Sequence, residues 1–145
     1  MKKGIGIIEL LLAIAIISVI VVFVFPSLIS FKKEQVLRNS VDQIISLSNK
    51  ARNDTLTSKN LDYYGIEFES DRVTLIEGSS NSDLEEIILD NFVEINGISL
   101  NGDGNIVYFN KLTGDTDEYG SVIIRLVDQS KQRTIFINKT GIITK

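Results

Sequence analysis

The chain has 145 residues, a formal net charge of −4 and no Cys, His or Trp. That length holds one membrane helix and a single globular domain of roughly 90 to 110 residues. Without Cys there is no disulfide framework, and without His or Cys the usual zinc sites and the Ser-His and Cys-His nucleophile arrangements are excluded. No carboxylate pair stands out as catalytic, so no enzyme activity, cofactor or metal is expected.

The chain opens with Lys2-Lys3-Gly4, followed by an apolar run from Ile5 to Phe25. As a helix this run is about 30 Å long, enough to cross a bilayer. The two leading lysines put residues 1–4 in the cytoplasm and everything after Pro26 outside. Lys32 and Lys33 fall at the interface, where anionic head groups can hold them. A cleaved secretory signal would end in small residues of the A-x-A kind. This run ends Phe23-Val24-Phe25-Pro26-Ser27-Leu28 and offers no such site. Glu9 is its one acidic residue. A carboxylate costs several kcal/mol at mid-bilayer and less toward the interface, so Glu9 predicts a partner within the membrane. The competing reading is a Glu that snorkels to the head groups of a simple anchor. Pro26 lacks a backbone donor and clashes with the preceding turn, which predicts a bend or local opening. It could equally mark the exit from the membrane.

The segment from Lys3 to Ile17, K-G-I-G-I-I-E-L-L-L-A-I-A-I-I, resembles the N-terminal signature of type IV pilins, in which Gly, Glu and the apolar string keep a fixed register. The resemblance implies that a membrane prepilin peptidase cuts between Gly4 and Ile5 and N-methylates Ile5. It also implies that Glu9 directs assembly with other pilin or pseudopilin subunits, and that Pro26 sits where many pilins carry a helix-kinking proline. Two positions depart from the pattern. Ile5 replaces the usual Phe, and Gly6 stands where Thr is common and loosens the first turn. The chemistry of Glu9 follows independently. Cleavage creates an amine at Ile5 that is charged near neutral pH. In a staggered bundle, Glu9 of one subunit can meet that amine of its neighbour, neutralising two charges that are costly in lipid and fixing the axial register.

Beyond Pro26 the helical period continues. Leu28, Phe31, Val36, Leu37, Val41, Ile44, Ile45, Leu47, Ala51 and Leu56 recur at three- and four-residue intervals among polar residues, predicting an amphipathic helix to about Ser58. From Leu61 the pattern changes to short strands: 63–69, 72–77, 105–109, 121–127, 133–137 and 142–144. Ser70-Asp71 forms a tight turn, 78–83 a loop, and 87–89 and 92–98 are apolar pieces of undecided type. The predicted class is α+β, a long N-terminal helix continuing into the globular domain and packed on an antiparallel sheet. The organisation is a leader at 1–4, a transmembrane and assembly helix at 5–26, its amphipathic continuation at 27–58, and a β-rich domain at 59–145.

The globular half resembles GspH/FimT-type minor pilins at Asn49-Lys50-Ala51-Arg52-Asn53-Asp54, at Tyr64-Gly65-Ile66-Glu67-Phe68, and at the closing strands with Gly114 and Gly141. The subgroup's terminal basic pattern is absent, since Gly141-Ile142-Ile143-Thr144-Lys145 keeps only the Gly and one basic residue. Charge is divided along the chain. From Asp62 to Glu118 only Arg72 and Lys111 oppose the acids, whereas Arg125, Lys131, Arg133, Lys139 and Lys145 face only Asp128. A basic edge could bind a nucleic-acid backbone, but Lys and Arg also protect strand edges, and an acidic domain repels DNA at long range. The protective role is the expectation. Asn101-Gly102-Asp103-Gly104-Asn105 and Asp115-Thr116-Asp117-Glu118 have oxygen-rich compositions, yet neither is a complete calcium loop, and the first fits a hairpin turn. The Asn53-Asp54-Thr55 and Asn138-Lys139-Thr140 sequons are read as chance.

Three functions follow from these features: a membrane-anchored pilin-like subunit, a minor pseudopilin of a type II secretion or DNA-uptake machine, or a single-pass anchored binding domain that never polymerises. The expected partners are a prepilin peptidase, other pilin or pseudopilin subunits and membrane lipid. The expected location is the cytoplasmic membrane with the globular domain outside, then a pilus or pseudopilus after assembly.

Overall fold

The computed structural model describes residues 6–57, 62–78, 82–102 and 104–145. Contacts divide the chain into two units, Met1–Glu34 and Gln35–Lys145. One helix, α1 (Ile7–Leu56), contributes to both.

In the first unit Gly6 immediately precedes α1, and its carbonyl accepts hydrogen bonds from the N–H groups of Glu9 and Leu10 at 3.0 and 3.2 Å. From Gly6 to Phe23 every side chain is exposed. α1 continues through Pro26, so the chain does not leave the helix where the apolar run ends.

In the second unit the same helix is one-sided. Leu37, Val41, Ile44, Leu47 and Ala51 are buried at helical spacing and join one hydrophobic cluster with the strands. Polar groups on this stripe are satisfied locally. The buried Ser48 and Thr55 hydroxyls donate to the carbonyls of Ile44 and Ala51 at 2.8 and 2.9 Å, and Thr55 Oγ1 accepts the Tyr64 N–H at 2.9 Å. That last bond ties the end of the helix to the first strand. The helix ends at Leu56 with a turn at Thr57, close to the expected boundary.

Eight strands follow: β1 (Tyr64–Phe68), β2 (Arg72–Glu77), β3 (Ser82–Ile88), β4 (Val93–Leu100), β5 (Ile106–Tyr108), β6 (Gly120–Leu126), β7 (Gln132–Ile137) and β8 (Ile143–Thr144). They form two four-stranded sheets, β3-β2-β1-β5 and β4-β6-β7-β8, and every pairing is antiparallel. The α+β class is as expected, but the single expected sheet is divided. Leu89 N–H and Ile95 N–H bond to the carbonyls of Asp71 and Ser70, strapping the β3–β4 link to the β1–β2 turn, while β4 pairs with β6. Each sheet therefore gives one face to the shared core: Tyr64, Ile66, Phe68, Val73, Leu75 and Val107 from the first, Val122, Ile124, Leu126, Ile135 and Ile137 from the second. The loop expected at 78–83 is shorter than anticipated, because β3 already begins at Ser82.

The far end of α1 is locked by Arg52. Its Nε donates to Gly114 O at 2.9 Å and its Nη2 to Thr140 O at 3.3 Å. The two loops it joins meet so closely that a Cβ on Gly141 would stand 1.9 Å from Gly114 O, and Gly141 has φ +72°. Only glycine adopts that conformation and approach without strain. Gly141→Ala should therefore destabilise the protein by about 2–4 kcal/mol. Gly104→Ala, whose nearest neighbour would be Ile106 N at 3.8 Å, should stay within about 0.5 kcal/mol of the parent. Urea unfolding of the full chain in detergent micelles separates the two, and equal effects would contradict the lock.

Candidate functional site

The functional candidates of the sequence lie mainly on the first unit. Gly4 and Ile5 fall outside the described residues. Glu9 lies in the first turn of α1 and is exposed. A carboxylate there complements the positive end of the helix dipole, worth about 0.3–1 kcal/mol. Its helical neighbours are all apolar: Ile8, Leu10, Leu11, Leu12 and Ala13.

Apolar residues cover the whole circumference of this half of α1. Ile8 is 83% exposed, Phe23 76% and Val22 67%, and none of them meets a core of the chain's own. A helix that is apolar all round cannot be left to water. Its most apolar 18-residue window has a mean hydropathy of 3.2 and no buried part, so α1 is long and apolar enough to cross a membrane. The one hydroxyl in its middle, Ser18, donates to Ile14 O at 2.8 Å and leaves no donor for lipid to desolvate. About 20 apolar helical residues cover a hydrocarbon core, and the fully exposed apolar stretch of α1 lies in its N-terminal part alone.

The basic segment of the second unit is partly matched by acids. Arg125 Nε meets Glu94 at 2.6 Å, and Lys145 Nζ meets Asp42 of α1 at 2.7 Å. Arg133 and Lys145 line a cleft with Arg38, Val41 and Asp42.

The acidic segments are engaged in turns. Asp115 accepts from the Thr113 hydroxyl, and hydrogen bonds from Thr113 and then Asn110 hold its carboxyl below the ordinary range. Glu118 accepts the Tyr108 N–H at 3.2 Å and the Thr116 hydroxyl at 3.1 Å, and Asn101 Nδ2 donates to Asp117 O at 3.0 Å. Asp103 lies outside the described residues. Among the described residues no three acidic side chains converge as a metal group. The first sequon lies inside α1, with Asn53 exposed and Thr55 buried.

The meeting of Arg52, Gly114 and Gly141 was not foreseen as a cluster. The three lie far apart in sequence, and only tertiary structure brings them together. No family model, curated protein or solved structure matches the chain.

Membrane insertion of α1 has a direct test. Ile14→Arg with Ile17→Arg places two charges near the middle of the apolar half, each costing about 2.5–3.5 kcal/mol on insertion scales. The parent chain should float with membranes on a density gradient after alkaline carbonate, and the double variant should largely fail to float. Equal flotation would show that this half of α1 is not what holds the protein to lipid.

Proposed function

We propose that the chain is a membrane-anchored subunit of a type IV pilin-like filament. It is cut by a prepilin peptidase between Gly4 and Ile5, N-methylated on Ile5, and assembled through the N-terminal half of α1. The observation that carries this reading is a helix exposed and apolar on all sides with a single carboxylate, Glu9, in its first turn. A simple anchor needs the apolar surface but not the acid.

In the membrane, lipid covers the apolar surface; in a filament, the helices of neighbouring subunits cover it instead. The two coverings are close in free energy, because lipid tails and Leu side chains are equally apolar. Packing and polar contacts must then decide in favour of assembly. The contact proposed is between the Glu9 carboxylate and the amine of Ile5 on a neighbour. Each charge alone is costly in a low-dielectric surrounding, and the pair is favourable when its geometry is good. Methylation leaves that amine basic and charged. The continuation of α1 as a one-sided helix packed on two sheets supports the same reading, since it gives a filament helix a globular domain to display.

Glu9→Leu removes the charge while raising the apolarity of the helix. It should leave the protein in the membrane and reduce its recovery in sheared filaments by about tenfold or more, the loss expected when one partner of a buried ion pair is removed. Membrane and filament fractions probed from the same cells measure both. Normal incorporation of the Leu variant would favour an anchored domain that does not polymerise.

A further inference from the structure

We infer that the globular domains of neighbouring copies meet edge to edge, with the basic cleft beside β8 of one copy receiving the acidic edge strand β3 of the next. This contact extends the filament reading above and rests on it.

The two sheets leave β3 as an edge of the first and β8 as an edge of the second. Their charges are opposite. β3 exposes Asp83, Glu85 and Glu86, of which Glu86 pairs with Arg72 of β2 at 2.6 Å. At the other edge, Arg38, Arg133 and Lys145 surround a cleft of about 330 Å³ whose one acidic lining residue is Asp42.

This opposition follows from the topology. Arg133 stands opposite Ile124 in the β6–β7 register, which puts it on the core-side face of the sheet at its open end, toward α1. Lys145, just beyond β8, reaches Asp42 on α1. The cations of β7, β8 and α1 are thereby gathered on one flank of the helix. On its other flank, Lys50 pairs with Glu85 of β3. Each edge also carries exposed apolar groups: Leu84 and Ile88 on β3, and Phe136 on the face of β7 opposite the cleft. An uncovered strand edge with apolar and charged side chains is a pairing surface unless it is blocked.

A second copy is the partner that fits. The cleft sets three cations, Arg38, Arg133 and Lys145, against one carboxylate, so a carboxylate-rich surface is the partner its charge favours. The β3 edge of another copy supplies carboxylates together with apolar side chains. Because the two surfaces differ, the contact is heterologous and repeats from copy to copy instead of closing as a two-fold dimer. That symmetry is the one an elongating filament needs.

Charge exchange in the full-length chain tests the contact, with filament recovery as the readout. Reversing the cleft (Arg38→Glu with Arg133→Glu) or the strand (Asp83→Lys) should each lower recovery on the order of tenfold, because like charges are then opposed between copies. Co-expressing the two reversed chains should restore recovery to within about twofold, since each copy again meets an opposite edge. Thermal unfolding in detergent identifies a variant that has lost its fold, and the co-expression arm remains decisive, because a misfolded chain is not rescued by charge. Filaments unaffected by either reversal, or no rescue on co-expression of two folded chains, would overturn the contact while leaving the Glu9 reading intact. Binding of DNA fragments at low salt that is lost with the cleft reversal, together with unchanged filaments, would assign the cleft to a polyanion and also overturn it. Absence of the parent chain from filaments would instead remove the reading on which the contact rests.

Discussion

One helix carries two kinds of surface, and the rest of the structure is arranged around that difference. From Gln35 onward α1 buries a stripe of Leu37, Val41, Ile44, Leu47 and Ala51 against the chain's own sheets. Before Phe23 it buries nothing and is apolar in every direction. The first half meets no core of the chain's own, whereas the second half is packed on the chain's own sheets. A single continuous α1 joins the two regimes.

The globular unit is built to hold its half of that helix firmly. Ion pairs flank it on both sides, Lys50 with Glu85 and Asp42 with Lys145, though such exposed pairs add little stability individually. The stronger ties are buried or shared with backbone. Thr55 links the helix to β1, and Arg52 reaches two carbonyls from loops far along the chain. A guanidinium suits this task because its planar fork serves two acceptors at once.

Much of this was legible in the sequence, and the parts that were not have physical reasons. The apolar run and the three- and four-residue spacing after it located α1 to within two residues of its C-terminal end, because helix amphipathicity is a local signal. Most strands were visible as short alternations. β3 was hidden, since Asp83, Glu85 and Glu86 give an edge strand the composition of a loop, and its exposure is set by the register with β2 rather than by its own residues. The division into two sheets depends on β4 pairing with β6 across the intervening β5, a non-local choice that no window of sequence contains. At the candidate site, Glu9 was conspicuous as the one charge in an apolar run. The Arg52, Gly114 and Gly141 lock and the gathering of Arg38, Arg133 and Lys145 were invisible as groups, because tertiary structure alone brings them together.

The identity of the N-terminus in filaments tests the central claim most directly. Sheared surface filaments and washed membranes would be prepared from the same cells, and the first residue of this chain in each determined by mass spectrometry. Filaments containing the chain with N-methylated Ile5 as its first residue are the expected result. A chain that begins at Met1 and is confined to the membrane, in cells with an active prepilin peptidase, would contradict it and favour an anchored domain that does not polymerise.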